Sequence, residues 1–377
     1  MPKRLPHLDG LRAIAVLSVV AEHAASYVLD PHSVPGNILR AGMHGVDLFF
    51  VISGFCLSYP VIVSLYEKGR AEFDVSLFAA RRLLRIIPPY YAAIAILVVF
   101  LSARRIHISW PDVANQMFFL DWAGAAHMLN PSFWTLPIEF RWYFLFPIML
   151  MLWTRSRRAF ALTAIAAMLS TATRFWSQDI LILPAFMLGI VAAHVFVFGH
   201  KWLRMALPAS ICLAVLGTFC TPMSWDNCIH PAWQAAAFCF VVSAGAVPWL
   251  NKLVSNRLMT CIGTASYSIY LIHDPLLDFL ARHGQNIILA SGLSVGAGIV
   301  LWALVERPLV QSTVIRRRLL AEISDFIPKW LEIVGIKRTL WLIASDQGCL
   351  TETYSGRSTA FEDNIGIIPL AVTSLNP

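Results

Sequence analysis

Charged residues are scarce in this chain. Only 14% of its 377 residues are Asp, Glu, Lys or Arg, whereas 58% are hydrophobic. A typical soluble domain has about 25% charged residues, so this composition excludes a soluble globule of this size. The seven cysteines show no metal-ligand spacing, and we expect no metal site. The composition predicts an all-α, polytopic membrane helix bundle.

Long apolar runs predict the membrane helices. Windows of about 18 to 22 apolar residues indicate about ten transmembrane helices. Their approximate bounds are 11–28, 46–66, 86–103, 133–153, 159–174, 180–198, 205–221, 232–250, 262–281 and 286–304. Residues 1–311 would form the transmembrane domain. Residues 312–377 would form a cytoplasmic tail, partly an amphipathic helix over 312–345 and partly poorly ordered.

The basic residues predict the orientation. The net charge of +7 does not indicate a nucleic-acid partner, because Lys and Arg are spread through the loops between apolar runs. With the N-terminus in the cytoplasm, the basic residues in outer loops before position 319 are Arg40, Arg104, Arg105, Arg174 and Arg282. Nearly all others fall on the inner side, so the positive-inside rule places both termini in the cytoplasm. The first apolar run is long for a signal peptide, and we expect it to remain.

The first apolar run, Leu11 to Val28, contains two polar residues that are costly in hydrocarbon, Arg12 and His23. A basic residue at a span centre costs about 2.5 to 3.5 kcal/mol on insertion scales, which makes a functional role the first hypothesis. Their interval corresponds to about 1100° of helix rotation, about 20° beyond three turns, and to about 16 Å of rise. One face of one helix would therefore connect the membrane surface with a deep position.

Glu139 is the acidic residue expected to meet His23. It lies about as far below the outer boundary as His23 does, about 7 to 9 Å at the rise of an α-helix. A carboxylate and a histidine at matching depth can form an acid/base dyad. A structural ion pair is the alternative. Thr135 shares a helix face with Glu139 because the two are four residues apart.

A basic cluster, Arg81 to Arg85, begins the third predicted span. Arg82 and Arg85 are three residues apart on a helix and would join Arg12 at the inner membrane face. Guanidinium groups bind phosphates through paired hydrogen bonds, so the three arginines are candidates for a phosphate-bearing donor. The alternative is a role in topology and lipid headgroup contact.

Two further segments place polar residues inside apolar runs. Tyr267, Tyr270 and His273 recur at helical spacing in the ninth predicted span and form a polar stripe, which would line a cavity or form a hydrogen-bonded seam between helices. Asp47 enters the second span near its outer end. Gly54, in the same span, favours a tight helix contact.

Taken in order, these motifs resemble the acyltransferase family 3 group, bacterial inner-membrane proteins that O-acylate cell-envelope carbohydrates. The resemblance covers residues 7–309. It rests on Leu8 to Ala13 with His23, Gly45 to Phe55, Arg81 to Arg85 with Pro88, Thr135 to Glu139, and Ser266 to His273. Some members carry a fused C-terminal esterase-like domain, for which residues 312–377 are too few.

The resemblance implies transfer of an acyl group, usually acetyl from cytoplasmic acetyl-CoA, to a sugar hydroxyl on the outer side. The functional hallmarks of the family match Arg12, His23, Arg82 and Arg85. We therefore expect no permanently bound cofactor, an acyl-CoA co-substrate held by these arginines, and catalysis by His23 with Glu139. His23 would act as a general base or be acylated itself.

The expected partners are acyl-CoA, a carbohydrate or lipid-linked glycan acceptor, and membrane lipids. Two other functions stay open. A proton-coupled transporter would use His23, Glu139 and Asp274 as a relay, but the inverted repeats typical of such proteins are not evident. A flippase for an envelope glycan precursor would tolerate loss of His23.

Overall fold

The computed structural model describes residues 5–30, 33–120, 129–170, 178–199, 203, 205–219, 231–311, 319–320, 322–323 and 339–343. The helices are α1 (Pro6–Ala25), α2 (Val34–Arg40), α3 (Gly45–Lys68), α4 (Val75–Ala103), α5 (Trp110–Met117), α6 (Thr135–Arg155), α7 (Arg157–Ser170), α8 (Gln178–Phe198), α9 (Ala206–Phe219), α10 (Pro231–Ala246), α11 (Pro248–Val254), α12 (Arg257–Thr264), α13 (Ser266–Arg282), α14 (Ile287–Leu301) and α15 (Arg307–Gln311). Short 3₁₀ turns at Ala41–His44 and Pro131–Trp134 precede α3 and α6, and a π-helical turn at Trp302–Glu306 joins α14 to α15.

Within these described ranges, five helical segments are long and apolar enough to cross a membrane. They are Val34–Lys68, Val75–Ala103, Pro131–Arg155, Asp179–Phe198 and Ile287–Leu309. Helices α10 and α11 meet at a bend of 100° and add a sixth if they form one broken span. The described part of the protein is thus an almost entirely α-helical membrane bundle, and it does not show the predicted ten spans.

The difference has a physical reason. Helix α1 has 20 residues but includes Asp9, Arg12 and Glu22, charges that membrane helices tolerate only where they face the protein interior. Helices α7 and α9 have 14 residues each and α13 has 17, whereas a helix perpendicular to the bilayer needs about 20. Hydropathy windows extend across helix ends and bends, so they overestimate helix length.

Helix α1 is the centre of the bundle. It contacts α3 and α10 to α14, and its residues Leu11, Ala13, Ala15 and Val16 are completely buried. A Cβ atom added at Gly263 of α12 would lie 1.6 Å from the carbonyl oxygen of Asp9. Only glycine permits this approach, which brings the start of α1 against the backbone of α12.

Helices α3 and α8 also cross backbone to backbone. A Cβ atom at Gly54 would lie 2.2 Å from the carbonyl oxygen of Phe186. The tight helix contact predicted at Gly54 is therefore confirmed. Small residues at such crossings let the backbones of two membrane helices approach closely. Close packing matters there because lipid is as apolar as the helix surface, so the hydrophobic effect does not drive helices together.

A two-stranded sheet joins the bundle to the C-terminal segment. Gly69, with φ +66°, ends α3 and turns the chain into β1 (Arg70–Asp74). Strand β2 (Thr339–Ile343) pairs antiparallel with β1 in the register Arg70↔Ile343 to Asp74↔Thr339. Asp74 then caps α4 by accepting a hydrogen bond from the Leu77 amide.

The strand corrects part of the tail prediction. Residues 339–343 lie in the segment predicted as an amphipathic helix, but they extend the edge of β1. Thr, Trp and Ile in this stretch favour strand pairing once an edge is available. Apart from residues 319–320 and 322–323, the rest of 312–377 lies outside the described residues.

Candidate active site

A cavity between α1, α3, α4, α6 and α13 collects most of the predicted site residues, and we call it the arginine cavity. It is lined by Arg12, Val46, Phe49, Phe50, Ser53, Cys56, Arg82, Arg85, Ile86, Thr135, Leu136, Glu139, Tyr143, Ser266, Tyr267 and Tyr270. Its empty space is about 770 Å³, including the part that opens to solvent. The three arginines predicted to cluster do so.

The guanidinium groups in this cavity are only partly engaged. Arg12 donates to Asp9 Oδ1 at 3.1 Å and to Cys56 Sγ at 3.3 Å. Arg82 lies over the ring of Tyr143, 5.6 Å from its centroid. Among the described residues, the buried Nε atom of Arg82 has no hydrogen-bond partner. A buried unpaired donor costs free energy, and an anion entering the cavity would satisfy it.

Glu139 belongs to the arginine cavity and not to His23. Its Oε1 accepts hydrogen bonds from Tyr143 Oη and from Ser53 Oγ. In the part of the chain that the structure describes, the predicted contact between His23 and Glu139 is not formed. Glu139 instead lines the cavity that holds Arg12, where it bonds to Tyr143 of its own helix and to Ser53 of α3, so the depth argument did not identify its partner.

His23 lines a second cavity, which we call the histidine cavity. Its lining is Val19, Glu22, His23, Met43, Val46, Asp47, Pro131, Ser132, Trp134, Ile182 and Tyr270. His23 Nδ1 lies 2.9 Å from His273 Nε2, and His23 Nε2 lies 3.3 Å from Glu22 Oε2. Asp274 Oδ1 is 4.0 Å from His23 Nδ1. An imidazole with two neighbouring carboxylates is suited to accept and release a proton.

The two cavities share part of their walls. Val46 and Tyr270 line both. Tyr270 Oη donates to the carbonyl oxygen of Ser132 at 2.7 Å and accepts from Thr135 Oγ1 at 2.9 Å. Tyr270 is therefore held between the arginine cavity and the histidine cavity.

The other predicted cavity residues divide between these sites. Thr135 and Tyr267 line the arginine cavity, and Asp47 lines the histidine cavity. Asp47 Oδ2 is 2.8 Å from Nδ1 of His44, and both side chains are buried. His273, predicted to line a cavity, is instead completely buried behind His23.

Sequence reasoning missed several polar residues of these cavities, among them Glu22, Ser53, Cys56 and Ser132. Glu22 was overlooked, although it is an ionisable residue inside the first apolar run and directly precedes His23. Ser53 and Cys56 carry no signal of their own, because small polar residues are common in membrane helices. The relay considered for a transporter is also changed, since Glu139 lines the arginine cavity whereas Asp274 lies 4.0 Å from His23.

The fold and the two cavities define a class: a polytopic membrane protein with clustered arginines near one end of a buried helix and a histidine beside carboxylates near the other. A family model described as an acyltransferase domain matches residues 5–306. The chain belongs to this acyltransferase family.

Two relatives illustrate the family. The chain is 25% identical over 324 residues to the peptidoglycan O-acetyltransferase OatA of Listeria monocytogenes, covering 73% of this chain and 50% of that protein. It is 23% identical over 322 residues to the O-acetyltransferase OatA of Staphylococcus aureus, covering 74% and 51% respectively. The chain thus spans about half the length of these curated relatives. No solved structure matches it.

Proposed function

We propose that the protein is an integral membrane O-acyltransferase that moves an acyl group, acetyl in the first place, from cytoplasmic acyl-CoA to a hydroxyl of a cell-wall carbohydrate or its lipid-linked precursor. One observation carries this proposal. Helix α1 runs without interruption from Pro6 to Ala25 and presents Arg12 to the arginine cavity and His23 to the histidine cavity. The family and the names of the relatives support the reaction class.

The arginine cavity is the proposed donor site. In the proposed orientation the N-terminus is cytoplasmic, which puts the Arg12 end of α1 and its neighbours Arg82 and Arg85 on the side where acyl-CoA is available. The unpaired Nε of Arg82 and the partly engaged guanidinium of Arg12 suit phosphate oxygens. Glu139 supports this site indirectly, since it accepts a hydrogen bond from Tyr143, whose ring packs against Arg82.

The pantetheine arm of the donor would then extend along α1. The rise between Arg12 and His23 is about 16 Å, close to the reach of an extended pantetheine arm. The thioester must pass the wall formed by Val46 and Tyr270 to reach His23. We infer that Tyr270 moves, or that the arm passes beside it, when the donor binds.

His23 is the proposed general base. It takes the proton of the acceptor hydroxyl while the hydroxyl oxygen forms a bond to the acyl carbon of the thioester. The carbon–sulfur bond then breaks, and the leaving thiolate of coenzyme A receives the proton from His23. Glu22, 3.3 Å from His23 Nε2, stabilises the imidazolium that forms between these steps. In the alternative route, His23 is acylated first and passes the group on.

An acyl-transfer assay with the purified protein in lipid nanodiscs tests this function. With acetyl-CoA and cell-wall glycan fragments, the wild type should release coenzyme A and add acetyl groups that mass spectrometry detects on the glycan. His23→Ala should abolish both. His283→Ala, a change at an exposed histidine whose ring contacts Phe279 one turn earlier, should not.

The outcomes separate the hypotheses. Transfer that survives in His23→Ala would contradict the role of His23. Proton-coupled flux of a glycan precursor without release of coenzyme A would instead establish a transporter, and lipid-precursor translocation that tolerates His23→Ala would indicate a flippase.

An acetylated His23 peptide in a quenched single turnover would select the acyl-histidine route. Competition between acetyl-CoA and succinyl-CoA would identify the acyl group, and membrane fractionation would test the inner-membrane location.

A further inference from the structure

A second histidine lies against His23 from α13. His23 Nδ1 and His273 Nε2 are 2.9 Å apart, and the two rings are nearly parallel, with an angle of 14° between their planes. His273 is completely buried, whereas His23 retains some exposure to the histidine cavity. The pair therefore has one member that faces the cavity and one that lies behind it.

The hydrogen bonds of His273 determine where its proton lies. His273 Nδ1 is 2.9 Å from the carbonyl oxygen of Tyr270 in the preceding turn of α13. A carbonyl oxygen can only accept, so Nδ1 of His273 carries the hydrogen. In the neutral ring the other nitrogen, Nε2, is then an acceptor directed at His23.

The same reasoning extends to His23. Because His273 Nε2 accepts, His23 Nδ1 must donate, and the free electron pair of neutral His23 is on Nε2. That nitrogen faces Glu22, whose Oε2 lies 3.3 Å away and accepts from it once Nε2 has taken a proton. Glu22, Asp47 and Ser132 all line the histidine cavity, so the basic nitrogen lies where an acceptor hydroxyl would enter.

We propose that His273 is a positioning residue that fixes the tautomer and orientation of His23, so that Nε2 of His23 is the base for the acyl transfer. This inference rests on the proposed function. His273 touches neither donor nor acceptor, and acts through one hydrogen bond. The charged form of His23 keeps that bond, because Nδ1 still donates after Nε2 has taken a proton. Glu22 and Asp274 are the carboxylates beside the ring in that state.

Three substitutions separate this role from simple packing. His273→Gln keeps a side-chain carbonyl near the position of Nε2, where it can accept from His23. His273→Asn keeps a polar group near the position of Nδ1 but loses the acceptor for His23. His273→Leu fills the space without either. The loss of correctly oriented general-base catalysis costs about 10²- to 10⁴-fold in rate.

We expect His273→Leu and His273→Asn to lower kcat at least about 10²-fold while KM for acetyl-CoA stays close to that of the wild type. His273→Gln should recover most of kcat. Equal defects in Gln and Asn would overturn the proposal, as would a full kcat in Leu or a change confined to KM. If Leu does not fold, the comparison of the two amide variants decides the question.

A second measurement does not depend on turnover. Diethyl pyrocarbonate modifies the unprotonated nitrogen of histidine, and peptide mass spectrometry reports the rate at His23. We expect this rate to fall in His273→Asn and to remain near the wild-type rate in His273→Gln. Equal rates in both would refute the tautomer assignment. A wild type that shows the expected rates but transfers no acyl group would instead refute the proposed function alone.

Discussion

Arg82→Ala is the substitution that tests the donor site most directly. The Nε atom of Arg82 is buried and has no partner among the described residues, so a bond from it to a donor phosphate replaces no existing protein hydrogen bond. A hydrogen bond to a charged group contributes about 1.5 to 3 kcal/mol. Since 1.4 kcal/mol corresponds to about tenfold in affinity, loss of this bond should weaken acetyl-CoA binding by about 10- to 150-fold.

Folding should be much less affected. The substitution removes an unpaired Nε donor, a side-chain hydrogen bond to Tyr143 worth about 0.5 to 1.5 kcal/mol, and the attraction to the Tyr143 ring, worth about 0.5 to 2 kcal/mol. Arg82→Lys keeps the charge but not the paired geometry of a guanidinium, and we expect it to recover only part of the affinity.

Arg81→Ala is the matched control. It removes the same charge from the neighbouring position of α4, but Arg81 is exposed and does not line the arginine cavity. Equilibrium binding of acetyl-CoA to nanodiscs, together with donor KM, measures the effect. We expect a change of at most about threefold for Arg81→Ala, consistent with screened surface charge. Equal losses in both variants would show that only bulk electrostatics matters, and an unchanged affinity in Arg82→Ala would refute the donor assignment.

Three other predictions follow from the geometry. Glu139→Gln should raise donor KM more than it lowers kcat, because Glu139 contacts Tyr143 and Ser53 and not His23; a loss confined to kcat in steady-state kinetics would argue for the dyad instead. Tyr270→Phe removes two buried hydrogen bonds and should lower the free energy of unfolding by about 1 to 3 kcal/mol. It should also increase the rate at which bulky acyl-CoA donors react. An unchanged melting temperature together with an unchanged donor preference would count against Tyr270 as the shared wall. Gly54→Ala should destabilise the protein by about 1 to 3 kcal/mol through overpacking. Its control, Gly292→Ala, has nothing within 4 Å of the added Cβ and should be neutral or stabilising. Similar melting temperatures for the two variants would contradict the described crossing of α3 and α8.

Much of the site could be predicted because it depends on distances within single helices. Arg82 and Arg85 are one helical turn apart, and Arg12 and His23 lie on one face of α1 at a separation set by the helical rise. The motifs also identified the family to which the chain belongs. These features need no knowledge of how one helix packs on another.

The pairing of His23 could not be predicted in this way. Depth along two helices gave His23 and Glu139 the same height, but each helix can rotate about its own axis. Contacts between helices far apart in the chain, such as Gly263 against Asp9, fix how each helix is placed. The structure pairs Glu139 with Tyr143 of its own helix and with Ser53 of α3, and it brings His273 to His23.

The sequence by itself thus determined the membrane class, the arginine cluster and the polar face of α1, because composition and helical periodicity are local properties. Only the tertiary structure decided that α1 is buried at the centre of the bundle and that residues 339–343 pair with β1. It also showed that five or six helical segments in the described ranges are long and apolar enough to span the membrane. It also decided that His23 meets Glu22 and His273. Each of these depends on the packing of segments far apart in the chain, for which local periodicity carries no information.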